Sequence, residues 1–156
     1  MARKIRSVCI HCDYKTLMAK AGLQLTRKRL SVLEIIGNSD FPLSAADIHA
    51  ALDKSHPINR VTVYRILDLL VEKKIVDRIA TGGRAAYYGL APNEQHQAHP
   101  HFYCTSCGRM DCLSPESLNV EFNRFENTFP GRIDKLEMRL DGVCKNCLKK
   151  NCKTKV

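Results

Sequence analysis

Two pairs of cysteines constrain the fold of this chain more than any other feature of its sequence. Cys104 and Cys107 form one CxxC pair, Cys144 and Cys147 form another, and 36 residues separate the two pairs. A CxxC turn places two thiolates on one tight knuckle, and two knuckles make a tetrahedral sulfur cage that suits Zn²⁺. A closed cage of this kind is structural and has no open position for chemistry. Free buried thiols and a redox pair are the alternatives.

The length and composition fit a globular chain of one or two small domains. The chain has 156 residues, of which 44% are hydrophobic and 26% charged. No stretch approaches the roughly 20 apolar residues of a membrane-spanning helix, so we expect no membrane partner. The basic start has no apolar stretch behind it and is not a secretory signal, which predicts a cytoplasmic protein. In that compartment the eight cysteines favour metal ligation over structural disulfides.

Residues 1–90 have the element order of a winged helix-turn-helix domain. Thr26 can cap a helix that stops at Gly37, and Ser44 with Asp47 forms a capping box before a second helix. A third helix is expected from about Asn59. Its apolar stripe has the spacing of one buried helical face and consists of Val63, Ile66, Leu67, Leu70 and Val71. Ile75–Thr81 and Arg84–Gly89 flank Gly82-Gly83, which predicts a two-residue hairpin.

The third helix is the candidate recognition helix for double-stranded DNA. Residues 1–90 hold fifteen Lys and Arg against eight Asp and Glu, a balance that suggests a polyanion partner. The polar face near the start of this helix would meet base edges and phosphates, and the hairpin adds two arginines. The candidate DNA-binding residues are Arg60, Thr62, Tyr64, Arg65, Arg78 and Arg84. A plain helical domain with a solvated basic face is the alternative.

Residues 91–98 are predicted to form a hinge, and residues 99–156 a smaller α/β domain. An extended segment at His99–Tyr103 is followed by a helix that begins after Ser114. Its apolar face would contain Leu118, Phe122, Phe125 and Phe129. Leu136, Met138 and Leu140 alternate with charged residues and predict a strand with one buried face. A single helix on a few strands is marginal at this size and calls for a metal, a partner subunit or both.

A second metal site is predicted near the hinge. His99 and His101 are two residues apart in the extended segment, so both rings would lie on one face. Cys112 follows where the chain turns back beside that strand, and Asp77 interrupts an apolar strand face in the first domain. These four residues could form a site that bridges the domains, with His96 as a spare donor. An ion pair for Asp77, an inert Cys112 and an exposed His96 are the alternatives.

At this point the chain resembles the ferric-uptake-regulator family of metal-sensing repressors, over roughly residues 19–150. Four segments carry the resemblance, and the last two together are highly specific. They are Ala21–Arg29 before the first helix of the motif, Leu43–Ile48, the TVYR sequence of Thr62–Arg65, and the HxHxxCxxCG sequence of His99–Gly108.

The resemblance implies a homodimer in which each subunit has an N-terminal winged helix and a C-terminal α/β dimerisation domain. It implies a structural zinc ion on Cys104, Cys107, Cys144 and Cys147. It also implies DNA contacts from Tyr64 and Arg65, and a sensing site from Asp77, His99, His101 and Cys112. A metal-dependent repressor of metal-uptake genes, bound to a near-palindromic operator, follows from this resemblance.

The sensed metal is predicted from departures from the family pattern. Iron and peroxide sensors of the family commonly carry a His where this chain has Phe41-Pro42, and an Asp or Glu at the position of Cys112. Thiolate and imidazole ligands suit Zn²⁺, which favours a second, regulatory zinc ion over Fe²⁺ or Mn²⁺. An iron-responsive regulator and a peroxide sensor remain the alternatives within the family.

A zinc hydrolase is the rival from another class. It needs an open coordination position and a general base, and Glu94 is the only base near the His pair. Cys9, Cys12 and Cys152 lie outside the motifs and are assigned no role. They could form another metal site, a redox pair or nothing ordered.

Overall fold

The chain folds into two compact units, Met1–Ala98 and His99–Val156. The computed structural model describes residues 12–53, 57–118 and 121–153. Within these ranges no helix combines the length and the apolar character needed to cross a lipid bilayer.

Among its described residues, the N-terminal unit combines four helices with a small antiparallel sheet of strand order β1-β3-β2, which is the winged-helix arrangement. Its elements are α1 Tyr14–Lys20, α2 Arg27–Gly37, β1 Leu43–Ser44, α3 Ala45–Asp53, α4 Arg60–Glu72, β2 Val76–Ala80 and β3 Ala86–Leu90. The three helices predicted for this half of the chain are confirmed. The additional helix, α1, precedes them and begins after Asp13.

The predicted caps hold the starts of these helices. Thr26 Oγ1 accepts a hydrogen bond from the Arg29 amide of α2 at 3.4 Å. In the capping box of α3, the Asp47 amide donates to Ser44 Oγ at 3.2 Å and the Ser44 amide donates to Asp47 Oδ2 at 3.1 Å. Each cap satisfies amide groups that a helix leaves without an internal partner. The sequence therefore determines where α2 and α3 begin.

The core of this unit orients α4. Val63, Leu67 and Leu70 of its apolar stripe are fully buried, against residues of α2 and α3 such as Leu33 and Ile48. Burying a side chain of this size contributes roughly 1.5–3 kcal/mol. Because the stripe must face the core, the opposite face of α4 is held toward solvent.

The hairpin differs from the prediction of a two-residue turn at Gly82-Gly83. Strands β2 and β3 pair from Val76 opposite Leu90 to Ala80 opposite Ala86, which leaves the loop of residues 81–85 between them. Neither glycine has the positive φ that the short hairpin turns require. Instead the Thr81 hydroxyl donates to the Ala85 carbonyl at 2.8 Å and closes the wider loop.

The C-terminal unit is built on a three-stranded sheet of order β5-β4-β6. Strand β4 is antiparallel to β5 and parallel to β6. The elements are β4 His101–Cys104, β5 Met110–Cys112, a 3₁₀ turn Pro115–Ser117, α5 Phe122–Thr128, β6 Arg139–Gly142 and α6 Lys145–Lys153. This pairing places His101 opposite Cys112 and Cys104 opposite Gly142.

Two predictions for this unit are wrong. Ser114 caps only the 3₁₀ turn, and α5 is a separate helix of seven residues whose Phe125 is 58% exposed. The predicted strand over 136–140 begins only at Arg139, and its apolar residues do not form a buried face. The reason is that the described part of this unit contains few buried apolar residues against which a helix or a strand could pack. Among the described residues of this unit, the exposed large apolar side chains are those of Phe125, Phe129, Ile133, Leu136, Leu140, Val143 and Leu148.

Candidate metal centres and nucleic-acid interface

The four cysteines of the two CxxC pairs come together in the C-terminal unit. Their sulfur atoms all lie within 4.8 Å of one another. The Sγ atoms of Cys104 and Cys147 are 3.9 Å apart, as are those of Cys107 and Cys144. Four sulfurs at about 2.3 Å from a tetrahedral zinc ion would be separated by about 3.8 Å. The cluster therefore has the size and the donor chemistry of a structural zinc site.

Parallel pairing of β4 with β6 creates this cluster, because it brings the ends of both strands to the same edge of the sheet. Cys104 is the last residue of β4, and the Cys144 amide, just beyond β6, donates to Cys104 Sγ at 3.3 Å. Gly108 has a φ of 72° and closes the knuckle that follows β4.

Hydrogen bonds and neighbouring thiols shift the pKa values of two cysteines of the cluster in opposite directions. The Cys144 amide is the main cause that lowers the pKa of Cys104 to about 6. A hydrogen bond from the Ser106 side chain lowers the pKa of Cys147, but the Cys144 and Cys107 thiols outweigh it and raise that pKa to about 11. The amide hydrogen bond thus favours the thiolate form of Cys104, while the close spacing of the four sulfurs opposes further negative charge. A divalent cation supplies the positive charge that four thiolates need.

A second cluster contains His99, His101 and Cys112. One ring nitrogen from each His and the Cys112 sulfur lie within 4.8 Å of one another, and the two ring centroids are 4.7 Å apart. His101 and Cys112 face each other across β4 and β5. Against the prediction of a common strand, β4 begins at His101, and the buried Pro100 separates it from His99. Because proline has no amide hydrogen, Pro100 cannot donate the backbone hydrogen bond that would extend β4 toward His99.

The donor set of this second cluster fits a transition metal ion. His99 Nε2 and His101 Nδ1 are both buried, and the three residues are each half-buried. Two imidazoles and one thiolate are the ligand types that suit Zn²⁺. Three donors leave at least one coordination position for a further ligand.

The two other predicted ligands belong to the N-terminal unit. Asp77 lies on β2 opposite Gly89 and is half-buried, although Ile75 and Ile79, its neighbours at alternate positions, are buried. His96 closes a turn with Asn93, whose amide donates to the His96 carbonyl at 2.8 Å. Participation of Asp77 and His96 in a metal site remains a prediction.

The candidate DNA-binding residues line the solvent face of α4 and the neighbouring strand. Arg60 and Arg65 are exposed, Tyr64 is 46% exposed, and Thr62 is half-buried. Asn59 caps the helix, because its Oδ1 accepts a hydrogen bond from the Thr62 amide at 2.9 Å. The first turn of α4 therefore presents side chains from an ordered backbone.

Two arginines of the hairpin extend this basic surface. Arg78 is exposed on β2 opposite Tyr88, and Arg84 is exposed in the loop of residues 81–85. Burial raises the pKa of Tyr88, while the nearby Arg78 guanidinium lowers it and Asp68 and Tyr64 of α4 raise it. Arg78 and Tyr64 therefore both lie near the buried Tyr88 side chain.

One positioning residue was missed in the sequence. His49 of α3 forms a hydrogen bond through Nε2 with the Ile58 carbonyl at 3.0 Å. This contact anchors the segment directly before the Asn59 cap. Its partner is a backbone carbonyl, so no pattern of side chains in the sequence could have indicated it.

The remaining cysteines give a mixed outcome. Cys12 is disulfide-bonded, which is contrary to the expectation that the chain keeps its cysteines for metal. Cys152 lies within α6. Cys9 is outside the described residues, and its role is not assigned.

Comparison with known proteins places this architecture. A sequence model described as the ferric uptake regulator family matches residues 20–139. The ferric uptake regulation protein of Bacillus subtilis is 29% identical over 135 residues, covering 85% of this chain and 91% of the relative. The Vibrio cholerae ferric uptake regulator has a TM-score of 0.69 at 25% identity, over 85% of this chain and 100% of that chain. A zinc uptake regulator, complexed with zinc and DNA, has a TM-score of 0.62 at 23% identity, over 89% and 93% of the two chains.

The fold and these matches agree on the class of protein, a metal-dependent transcriptional regulator and not an enzyme. The hydrolase alternative is thereby removed. The chain belongs to the ferric uptake regulator family, since the family pattern covers most of its length.

Proposed function

We propose that the chain is a zinc-responsive repressor of metal-uptake genes that acts in the cytoplasm on a near-palindromic DNA operator. The observation that carries the zinc assignment is the cluster of His99, His101 and Cys112, whose ligand atoms lie within 4.8 Å of one another. A thiolate in this set favours Zn²⁺ over Fe²⁺ and Mn²⁺, which prefer sites richer in carboxylates. The four-cysteine cluster would hold a separate, structural zinc ion.

An iron-responsive regulator is the second candidate, because several relatives carry the name ferric uptake regulation protein. The deciding experiment is a titration of operator binding with Zn²⁺, Fe²⁺ and Mn²⁺ at buffered free concentrations. We expect Zn²⁺ to tighten binding at the lowest free concentration. Tightening by Fe²⁺ where Zn²⁺ has no effect would contradict the zinc assignment. A response to mild peroxide, followed by mass spectrometry of the thiols, would instead indicate a peroxide sensor.

In the proposed mechanism Asp77 joins His99, His101 and Cys112 as a ligand of the regulatory ion, with His96 as a possible further donor. The ion would supply a cross-link between residues of the two units. Cross-linking favours the arrangement in which two recognition helices meet successive major grooves. Because such coupling is reciprocal, operator DNA should tighten metal binding by the same factor by which metal tightens DNA binding.

Substitution of the ligands tests this mechanism. His101→Ala and Cys112→Ser should retain the structural zinc and the fold but lose most of the metal dependence of operator binding. Asp111→Asn is the matched control, because adjacent residues of a strand point to opposite faces of the sheet, and Asp111 pairs with Arg109 at 2.8 Å. Unchanged metal dependence in both ligand variants would remove this cluster from the mechanism.

DNA binding is assigned to the solvent face of α4 and to the hairpin. Arg65 and Tyr64 would contact base edges, whereas the other candidates would contact phosphates. These others are Arg60, Thr62, Arg78 and Arg84. Arg65→Ala should weaken operator binding and relax the sequence preference at one base position, whereas a uniform loss at all sequences would indicate a phosphate contact and contradict the assignment of Arg65 to a base edge.

We also propose that the chain is a homodimer through its C-terminal unit. The support is the set of large apolar side chains that this unit leaves exposed, among them Phe125 at 58%. Exposed apolar surface on this scale is typical of an interface. Phe125→Glu should shift the sedimentation equilibrium toward the monomer, while the control Phe41→Glu, at a 48% exposed position of the other unit, should not. A monomeric wild-type protein would contradict the proposal.

A further inference from the structure

Val61 is an exposed apolar residue on the first turn of α4. Its side chain is 57% exposed, more than any other large apolar residue that the structure describes in the N-terminal unit. It lies between Arg60 and Thr62, outside the buried stripe that holds α4 on the core. Nothing in the folding of this unit therefore requires an apolar side chain at this position.

The surroundings of Val61 indicate what it contacts. Tyr64 and Arg65 lie three and four residues further along α4, so they share its helical face. Arg60 precedes Val61 and Arg65 follows it by about one helical turn, and both arginines are exposed. A flat apolar partner protein would have to desolvate these charges, whereas DNA would pair them with phosphate or guanine.

The major groove offers one apolar group on base edges, the C5 methyl group of thymine. A helix enters this groove with its N-terminal residues toward the bases, which is where Val61 lies. Double-stranded DNA can thus accept hydrogen bonds from the flanking arginines and also offer an apolar contact to Val61.

We propose that Val61 contacts the thymine methyl group at one position of each operator half-site and selects thymine there. The arginines provide affinity and orientation, and Val61 provides a sequence preference that charge cannot provide. This inference rests on the proposed function, because it assumes that α4 is the recognition helix.

The experiment replaces thymine with deoxyuridine, which differs only by the methyl group. An operator is first selected from a library of random 30-base-pair duplexes with the full-length, zinc-loaded protein. Each thymine is then replaced singly, and binding is measured by fluorescence anisotropy at fixed salt. We expect one replacement per half-site to weaken wild-type binding about fourfold, the effect of one buried methyl group.

Variants assign this effect to the side chain. Val61→Ala should bring the ratio of the two affinities closer to one, because alanine reaches less far toward the methyl group than valine, and alanine is the better helix former, so α4 is retained. Leu25→Ala is the control, because Leu25 is a 50% exposed apolar residue outside α4. It should keep the fourfold ratio.

Two results would overturn the inference while leaving the proposed function intact. One is metal-dependent operator binding that is insensitive to every thymine replacement. The other is a Val61→Ala protein with the wild-type ratio. Failure of the zinc-loaded protein to select any duplex would overturn the proposed function together with this inference.

Discussion

The cap of α4, the proposed recognition helix, links the stability of the fold to the proposed DNA binding. Asn59 Oδ1 accepts the Thr62 amide at 2.9 Å, and this amide has no partner within the helix. Asn59→Ala removes the acceptor, which costs about 1 kcal/mol. A loss of this size raises the population of the open first turn roughly fivefold.

The same turn carries Arg60 and Val61, so its ordering becomes part of the free energy of DNA binding. We expect Asn59→Ala to weaken operator binding by up to about fivefold, because the apparent Kd rises as the closed fraction of the first turn falls and fivefold is the limit set by a cap of about 1 kcal/mol. Amide hydrogen exchange followed by NMR reports the opening at Thr62 directly. Fluorescence anisotropy at fixed salt and free zinc reports the affinity.

Thr26→Ala provides the matched control, because Thr26 caps α2 by the same type of contact, with the Arg29 amide at 3.4 Å. This variant should lose similar stability and keep its operator affinity. Asn59→Ser should restore both properties, since serine is also a good cap. Equal losses of affinity in Asn59→Ala and Thr26→Ala, or full protection of the Thr62 amide without Asn59, would refute the reasoning.

Four further outcomes follow from the structure. Cys104→Ser should lower the zinc content by one ion per chain, measured by elemental analysis, and abolish cooperative unfolding of the C-terminal unit. Leu67→Ala, at a fully buried position, should destabilise the N-terminal unit by about 2–5 kcal/mol in urea unfolding. Thr81→Val removes the hydroxyl that closes the loop of residues 81–85 and should cost about 1 kcal/mol in thermal unfolding. A hydrogen bond from the Thr16 hydroxyl is the main cause that lowers the pKa of Asp13, the N-cap of α1, below 3.8. The stabilisation by this cap is therefore fully present above pH 3.8 and is lost as the pH falls through the lowered pKa. Amide hydrogen exchange of α1 in acid should show the loss.

The N-terminal unit could be predicted from the sequence because its signals are local. Thr26, the Ser44–Asp47 box and Asn59 each cap a helix within three residues. The apolar stripe of α4 faces a core inside the same unit, so periodicity and burial agree. The hairpin was predicted less well, because Thr81 bonds to a carbonyl four residues away and widens a loop that two glycines alone would make short.

The C-terminal unit was harder to predict, because alternation of apolar and charged residues indicates a buried strand face but does not identify the residues that cover it. Leu136 and Leu140 have the spacing of a half-buried strand and are 48% and 39% exposed in the chain alone. The candidate metal-binding clusters were predictable from the CxxC pairs and the HxH sequence, since the spacing within each pair of ligands is a local property. Asp77 is different, because no local spacing relates it to His99, and its role remains a prediction.

The sulfur cluster also governs when the C-terminal unit can form during synthesis. One cysteine pair lies at the end of β4 and the other just beyond β6, the strand that pairs with it. Between Cys107 and Cys144 there are 36 residues. Closing a loop of this length costs roughly 3 kcal/mol of chain entropy. The sulfur cluster therefore cannot close until Cys144 and Cys147 have left the ribosome, whereas the winged helix can fold while translation continues. A ribosome-bound chain arrested before Cys144 would hold a folded first unit and an open second one.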